Sequence, residues 1–80
     1  MKPIRTNTTN CILKGTSEDV QDLPVTRLQY PGGVSAVESC WELSKEEIEE
    51  ISRTGRLYFI CLGNTHPPIM LSSEPSVKEV

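Results

Sequence analysis

Residues 57–62 are apolar or aromatic at every position, and this run most constrains how the chain can fold. Side chains along a strand point alternately to its two faces, so a strand here would be apolar on both. Such strands are typical of a sheet covered on both sides. We therefore expect residues 56–62 to form a buried strand, and the rest of the chain must supply the cover.

A short helix is predicted immediately before this run. Ser44 and Glu47 have the spacing of a capping box, in which each side chain bonds the backbone N–H of the other. Gly55 is suited to the left-handed conformation that ends many helices. The apolar stripe between these signals consists essentially of Ile48 and Ile51. We therefore expect a helix that can cover one face of a sheet and no more.

Two segments with alternating polarity precede the helix, residues 23–30 and 34–41. The Pro-Gly-Gly sequence at 31–33 favours a tight turn between them, because proline presets φ and glycine accepts positive φ. After the buried run, residues 69–71 can return as an edge strand. The order hairpin, helix, hairpin predicts an α+β domain with one small four-stranded, mostly antiparallel sheet.

Length predicts a single domain over residues 1–80, with a polar, irregular arm at 1–10 and a frayed tail at 72–80. A chain this short buries only about 60–65% of its unfolded surface, so it usually needs a disulfide, a metal or a partner. Three widely spaced cysteines fit neither a disulfide framework nor a zinc site. Either the arm or another subunit must cover the second sheet face, and we favour a homo-oligomer.

The charge and the apolar runs exclude several partners. A net charge of -3 is unsuited to binding duplex nucleic acid, which requires a basic surface. A run of six apolar residues is far shorter than the roughly 20 that a membrane-spanning helix needs. Because no secretory signal precedes the domain, we expect a cytoplasmic protein with reduced thiols, and no membrane association.

The chain lacks the residues that an enzyme would need. The single histidine, His66, would have to activate a nucleophile such as Cys61, which lies on the strand predicted to be buried. The acidic residues between 42 and 50 follow one another on one short helix, where such residues normally face water. We therefore expect no catalytic residues, no metal site and no cofactor.

The sequence contains more of the side chains that bind a nucleotide than of those that an enzyme needs. Guanidinium groups hold phosphates, aromatic rings stack on bases, and amide, hydroxyl or imidazole groups read base edges. The ordinary alternatives are a tryptophan that anchors the core and an arginine in a surface ion pair. The candidate ligand-binding residues are Arg5, Asn7, Arg27, Trp41, Thr65 and His66.

Three patterns resemble small proteins of bacteriophages and prophages: W-E-L-S-K-E-E-I at 41–48, G-R-L-Y-F at 55–59 and G-N-T-H-P-P-I at 63–69. Small phage proteins of this size commonly act against host defence. One class comprises oligomeric sponges that sequester cyclic nucleotide signals without cleaving them, and the similarity lies in size, origin and lack of catalytic parts. The resemblance supplies no binding residues.

The resemblance implies a phage anti-defence sponge that binds a cyclic nucleotide, such as a cyclic dinucleotide, in the host cytoplasm. The alternative is a small phage protein that inhibits a host protein by direct binding, for which the acidic helix face at 42–50 is suited. A virion or housekeeping protein without a ligand is a third possibility. The first hypothesis requires the candidate side chains to lie close together in the fold.

Overall fold

The computed structural model describes residues 1–15, 18, 20–65, 67 and 69–77. The fold is α+β with antiparallel pairing, as predicted, but the strands form two sheets and not one of four strands. One sheet has two strands, β1 and β5, and the other has three in the order β2-β3-β4. The elements are β1 (Lys2–Ile4), β2 (Cys11–Leu13), β3 (Leu23–Tyr30), β4 (Val34–Glu38), β5 (Cys40–Glu42) and α1 (Lys45–Thr54).

The predicted first hairpin is confirmed as β3 and β4, whose register runs from Thr26 opposite Glu38 to Tyr30 opposite Val34. In the connecting turn both glycines have positive φ, 88° at Gly32 and 79° at Gly33, which only glycine adopts readily. The predicted second strand, 34–41, is interrupted at Ser39, after which β5 pairs with β1. A chain that changes sheets at such a bend forms a corner between them.

Part of the N-terminal arm, which was expected to be irregular, forms the strand β1. Lys2 lies opposite Glu42 and Ile4 opposite Cys40 in the β1–β5 ladder. The Lys2 Nζ also lies 3.6 Å from Glu42 Oε1, so opposite charges face each other across the strands. A three-residue strand that contains Pro3 is too short for its polarity to alternate recognisably, and its pairing with the distant β5 is what makes it a strand.

The helix forms as its capping signals predict. Ser44 Oγ accepts a hydrogen bond from the Glu47 N–H at 3.2 Å, and Glu47 Oε1 accepts one from the Ser44 N–H at 2.8 Å. At the other end Gly55 has φ 68° and ψ 23°, and its N–H bonds the Ile51 carbonyl at 2.7 Å. The helix has no buried residue, however, and Ile48 is 52% exposed. It therefore does not cover a sheet within its own chain.

The two predicted C-terminal strands do not form. Among the described residues no strand follows α1, and Ile60 and Leu62 are 84% and 95% exposed. A run that is apolar throughout has no period to distinguish a strand from other buried conformations. Its predicted partner, residues 69–71, is likewise exposed and unpaired with any strand of this chain.

A single chain closes only a very small core. Val25, at 1% exposed, is the one buried apolar side chain in the described part of the chain. The accessible surface is 7226 Å², against about 4,800 Å² for a compact monomer of this mass. The radius of gyration is 14.3 Å, against about 11.6 Å for a compact domain of this length. Much apolar surface is therefore left without cover by the chain itself.

The helix cap permits a direct stability test. Replacing Ser44 with alanine leaves the Glu47 N–H without its acceptor, so we expect the variant to lose about 1 kcal/mol of unfolding free energy. In a domain of this size that loss lowers the melting temperature by roughly 4–8 °C. Ser52→Ala, on the same exposed helix but away from its cap, is the control for thermal melting followed by circular dichroism. Equal melting temperatures for the two variants would contradict this role of Ser44.

Candidate ligand-binding surface

A tight turn follows β1 and is built from threonine side chains. The Thr9 N–H donates to the Thr6 carbonyl at 3.2 Å, and the Thr6 N–H donates to Thr9 Oγ1 at 2.8 Å. Threonine hydroxyls readily bond nearby backbone groups, which is why they favour turns. Thr8 Oγ1 lies 3.2 Å from Thr26 Oγ1, and Thr26 is itself buried. The turn at residues 6–10 is therefore held against β3.

Asn10 joins the end of this turn to the backbone of β3. Its N–H donates to the Val25 carbonyl at 3.1 Å. Its side-chain Oδ1 accepts from the Arg27 N–H at 2.7 Å, and its Nδ2 donates to the Arg27 carbonyl at 3.4 Å. The amide thus takes the place of a backbone peptide and extends the ladder between β2 and β3. Asn10 thus fixes the backbone of Arg27 within β3, a positioning role that the sequence analysis did not predict.

The structure brings three of the six candidate residues to this turn. Arg5 and Asn7 flank Thr6, and Arg27 is held through Asn10; all three are exposed. Within the described part of the chain, neither the Arg5 nor the Arg27 guanidinium has a carboxylate partner. The side-chain ion pairs found there are Lys2–Glu42, Lys14–Asp22 and Arg53–Glu50. The ordinary alternative, a surface ion pair of Arg27, is thus not found among the residues that the structure describes.

Trp41 lies on β5, opposite Pro3 on β1, and Pro3 is two residues before Arg5. Its indole N–H donates to Ser39 Oγ at 2.8 Å, which restrains the ring. The ring is 46% exposed, so Trp41 is not the core anchor that a lone tryptophan often is. An exposed, restrained aromatic ring is suited to stacking against a base.

The remaining two candidates, Thr65 and His66, follow the apolar run in the sequence. Thr65 is exposed, and no hydrogen bond among the described residues connects it with the turn at 6–10. His66 lies outside the described residues. The candidate surface is therefore Arg5, Asn7, Arg27 and Trp41, with Asn10 as the residue that positions Arg27.

The candidate surface is open, while two clefts lie elsewhere around Met1 and Glu47. Their volumes are 340 Å³ and 310 Å³, and no candidate ligand-binding residue lines either one. The Met1 ammonium bonds the Glu47 carboxylate at 2.5 and 2.6 Å. This ammonium, together with the Ser44 N–H, lowers the pKa of Glu47. The acidic side of the larger cleft is thus already neutralised from within the chain.

The acidic, cysteine and histidine side chains of the described residues form no metal-binding cluster. No group of three or more His, Cys, Asp or Glu side chains is arranged there to hold a metal ion. Cys11, Cys40 and Cys61 are free thiols. The ten-residue α1, the one helix in the described part of the chain, is too short to cross a membrane.

No protein-family model matches this chain, and comparison with curated proteins and with solved structures finds no match either. What this chain binds must therefore be inferred from its own residues and from the surface that they form.

Proposed function

We propose that this protein is a non-enzymatic binding protein that captures a small nucleotide signal, such as a cyclic dinucleotide, without cleaving it. The observation that carries the proposal is that Arg5 and Arg27 are both exposed, Arg5 beside the hydrogen-bonded turn in sequence and Arg27 joined to it through the Asn10 amide. Neither has a carboxylate partner in the described part of the chain. Guanidinium groups are well suited to phosphate oxygens, which they bind through charge-assisted hydrogen bonds.

Two further side chains supply contacts that a free phosphate would not use. Trp41 has its ring partly exposed on the neighbouring β5, and base stacking on such a ring contributes about 1–3 kcal/mol. Asn7 is exposed on the turn and carries both a donor and an acceptor for a base edge. Phosphate, base face and base edge each have a matching group, which favours a nucleotide over an inorganic anion.

In this proposal the protein functions as a sponge that lowers the free concentration of a cyclic nucleotide immune signal in the host cytoplasm. The phage anti-defence setting is drawn from the resemblance to small phage and prophage proteins. A homo-oligomer supports the cyclic dinucleotide class in particular. Two-fold association places two copies of the same arginine and tryptophan side chains around one axis, which matches a pseudo-symmetric ligand with two phosphates.

Calorimetry with purified protein tests this proposal directly. Cyclic dinucleotides of different base and linkage are titrated into the protein, with a linear mononucleotide and inorganic phosphate as controls. We expect one cyclic dinucleotide to bind more tightly than either control and to be recovered chemically intact. At 100 times its Kd the ligand stabilises the protein by about 2.7 kcal/mol, which a thermal melt detects. No heat and no stabilisation with any cyclic dinucleotide would overturn the proposal.

The second candidate function is inhibition of a host protein through the acidic helix, and one observation favours it. All of α1 is exposed or half-buried, and Glu46 and Glu49 have no ion-pair partner among the residues that the structure describes. Reversing both charges, in Glu46→Lys/Glu49→Lys, distinguishes the two functions during infection. Protection lost while nucleotide affinity is unchanged supports protein inhibition, whereas protection that is retained supports the sponge.

A further inference from the structure

Helix α1 and the residues that follow it carry an exposed apolar surface, and we call it the C-terminal apolar surface. It consists of Ile48 and Ile51 on α1 and residues 57–62. Tyr58 and Ile60 are 77% and 84% exposed, and Leu62 is almost fully exposed. The helix and the run are contiguous, because Ile51, Leu57 and Tyr58 line one cleft of 340 Å³.

The amount of exposed surface indicates that another chain covers it. The accessible surface of 7226 Å² exceeds that of a compact monomer of this mass by about 2,400 Å². A stable interface of standard size requires only about 800 Å² from each partner. Contiguous apolar patches on soluble monomers rarely exceed about 300–600 Å². The excess, which counts polar and apolar surface of the whole chain together, is larger than the area that a standard interface requires from one partner.

The chemistry of the surface fits a second copy of the same chain. A two-fold interface must be complementary to itself, so it needs an uncharged centre and charges of both signs at its edge. Residues 57–62 carry no charged side chain. At the edge, Arg56 and the helix acids Glu46 and Glu49 have no ion-pair partner within the described residues. Two-fold packing lets the cation of one protomer face an acidic side chain of its partner.

The helix gives an independent reason for such a partner. An isolated helix of ten residues is marginal in water, and most helical stability in proteins comes from packing of an apolar face. Within the described part of the chain α1 has no fully buried residue and Ile51 is only half-buried, although the capping of the helix is complete. This helix therefore needs another apolar surface to pack against Ile48 and Ile51.

We infer that the protein forms a symmetric homodimer in which residues 57–62 of each protomer pack on the C-terminal apolar surface of the other. This interface also covers Ile48 and Ile51 of the partner helix. The inference does not rest on nucleotide binding, but it names the interface by which the proposed sponge becomes two-fold.

Sedimentation velocity of the full chain without nucleotide tests the inference, over about 1 to about 100 µM. The test variant is Ile60→Asp, and the control is Met70→Asp, an apolar residue that is 87% exposed but lies outside the surface. We expect the wild type and the control to be dimers, and Ile60→Asp to raise the dimer dissociation constant at least about 100-fold, because each dimer carries the change twice. Circular dichroism verifies that each protomer is still folded.

Leu62→Asp is the second test variant, so that the inference remains testable if Ile60→Asp does not fold. A wild type that stays monomeric at the highest concentration overturns the inference and would indicate that a different protein covers the surface. A dimer unchanged by both substitutions overturns it as well. Since no nucleotide is present, a negative result here is distinct from a negative result in the calorimetry.

Discussion

Val25→Asp is expected to abolish cooperative folding of the chain. Val25 is 1% exposed, it pairs with Cys11 across the β2–β3 ladder, and its carbonyl accepts the Asn10 N–H. An unpaired carboxylate at a buried position costs several kcal/mol. A domain of this length has only about 4–12 kcal/mol of unfolding free energy in total. No other apolar side chain in the described residues is buried well enough to compensate.

Val34→Asp is the matched control for this substitution, because Val34 lies on the adjacent β4 of the same sheet and is 57% exposed. We expect the control to melt within a few degrees of the wild type and Val25→Asp to show no cooperative melting transition in circular dichroism. Cooperative melting of Val25→Asp near the wild-type temperature would show that the core does not lie between the strands around Val25.

Arg27→Ala is expected to have the largest effect on ligand affinity. The substitution removes a charge-assisted hydrogen bond to phosphate, which contributes about 1.5–3 kcal/mol, so the Kd for a cyclic dinucleotide should rise roughly 10- to 150-fold. The fold should be retained, because Asn10 bonds only the backbone of Arg27 and no bond to its guanidinium is lost. Calorimetry at fixed salt measures the change.

Arg53→Ala is the control for charge, since it also removes one exposed arginine but from the end of α1, where Arg53 pairs with Glu50. We expect its affinity to remain within about twofold of the wild type, because an exposed charge outside the site is largely screened by salt. Equal affinities for the two variants would remove Arg27 from the binding surface.

The first hairpin and the helix could be predicted because their signals are local. Ser44, Glu47 and Gly55 determine the helix ends through groups only three or four residues apart, whatever the rest of the chain does. The two glycines at 32 and 33 likewise supply positive φ where the turn needs it. Such signals act within one element, so the sequence alone is sufficient to locate them.

The remaining fold depends on distant partners, which a single sequence does not reveal. β1 exists because β5, about forty residues later, pairs with it. Residues 57–62 were predicted as a buried strand from their apolar character, yet none of the strands that the described residues form pairs with them. Apolar character indicates that a segment needs cover, but not which surface covers it.

In the candidate site, too, some features could be predicted from the sequence and others depend on contacts between distant residues. Arg5, Asn7 and Arg27 were chosen for their chemistry, while their proximity results from the Asn10 amide and from the contact between Thr8 and Thr26. Hydrogen bonds between residues that lie seventeen or eighteen positions apart leave no periodic pattern in the sequence. Thr65 was chosen on the same chemical grounds, but no described contact joins it to the turn.

Native mass spectrometry of the protein, isolated without denaturation from cells that produce the signal, tests the central claim most directly. We predict a dimer that carries a small molecule of constant mass, released intact on denaturation and identified as a cyclic nucleotide by fragmentation. Protein with Arg27→Ala, isolated in the same way, should carry much less of it. Wild-type protein that emerges from such cells without any bound nucleotide, while the signal is present in the lysate, would contradict the account.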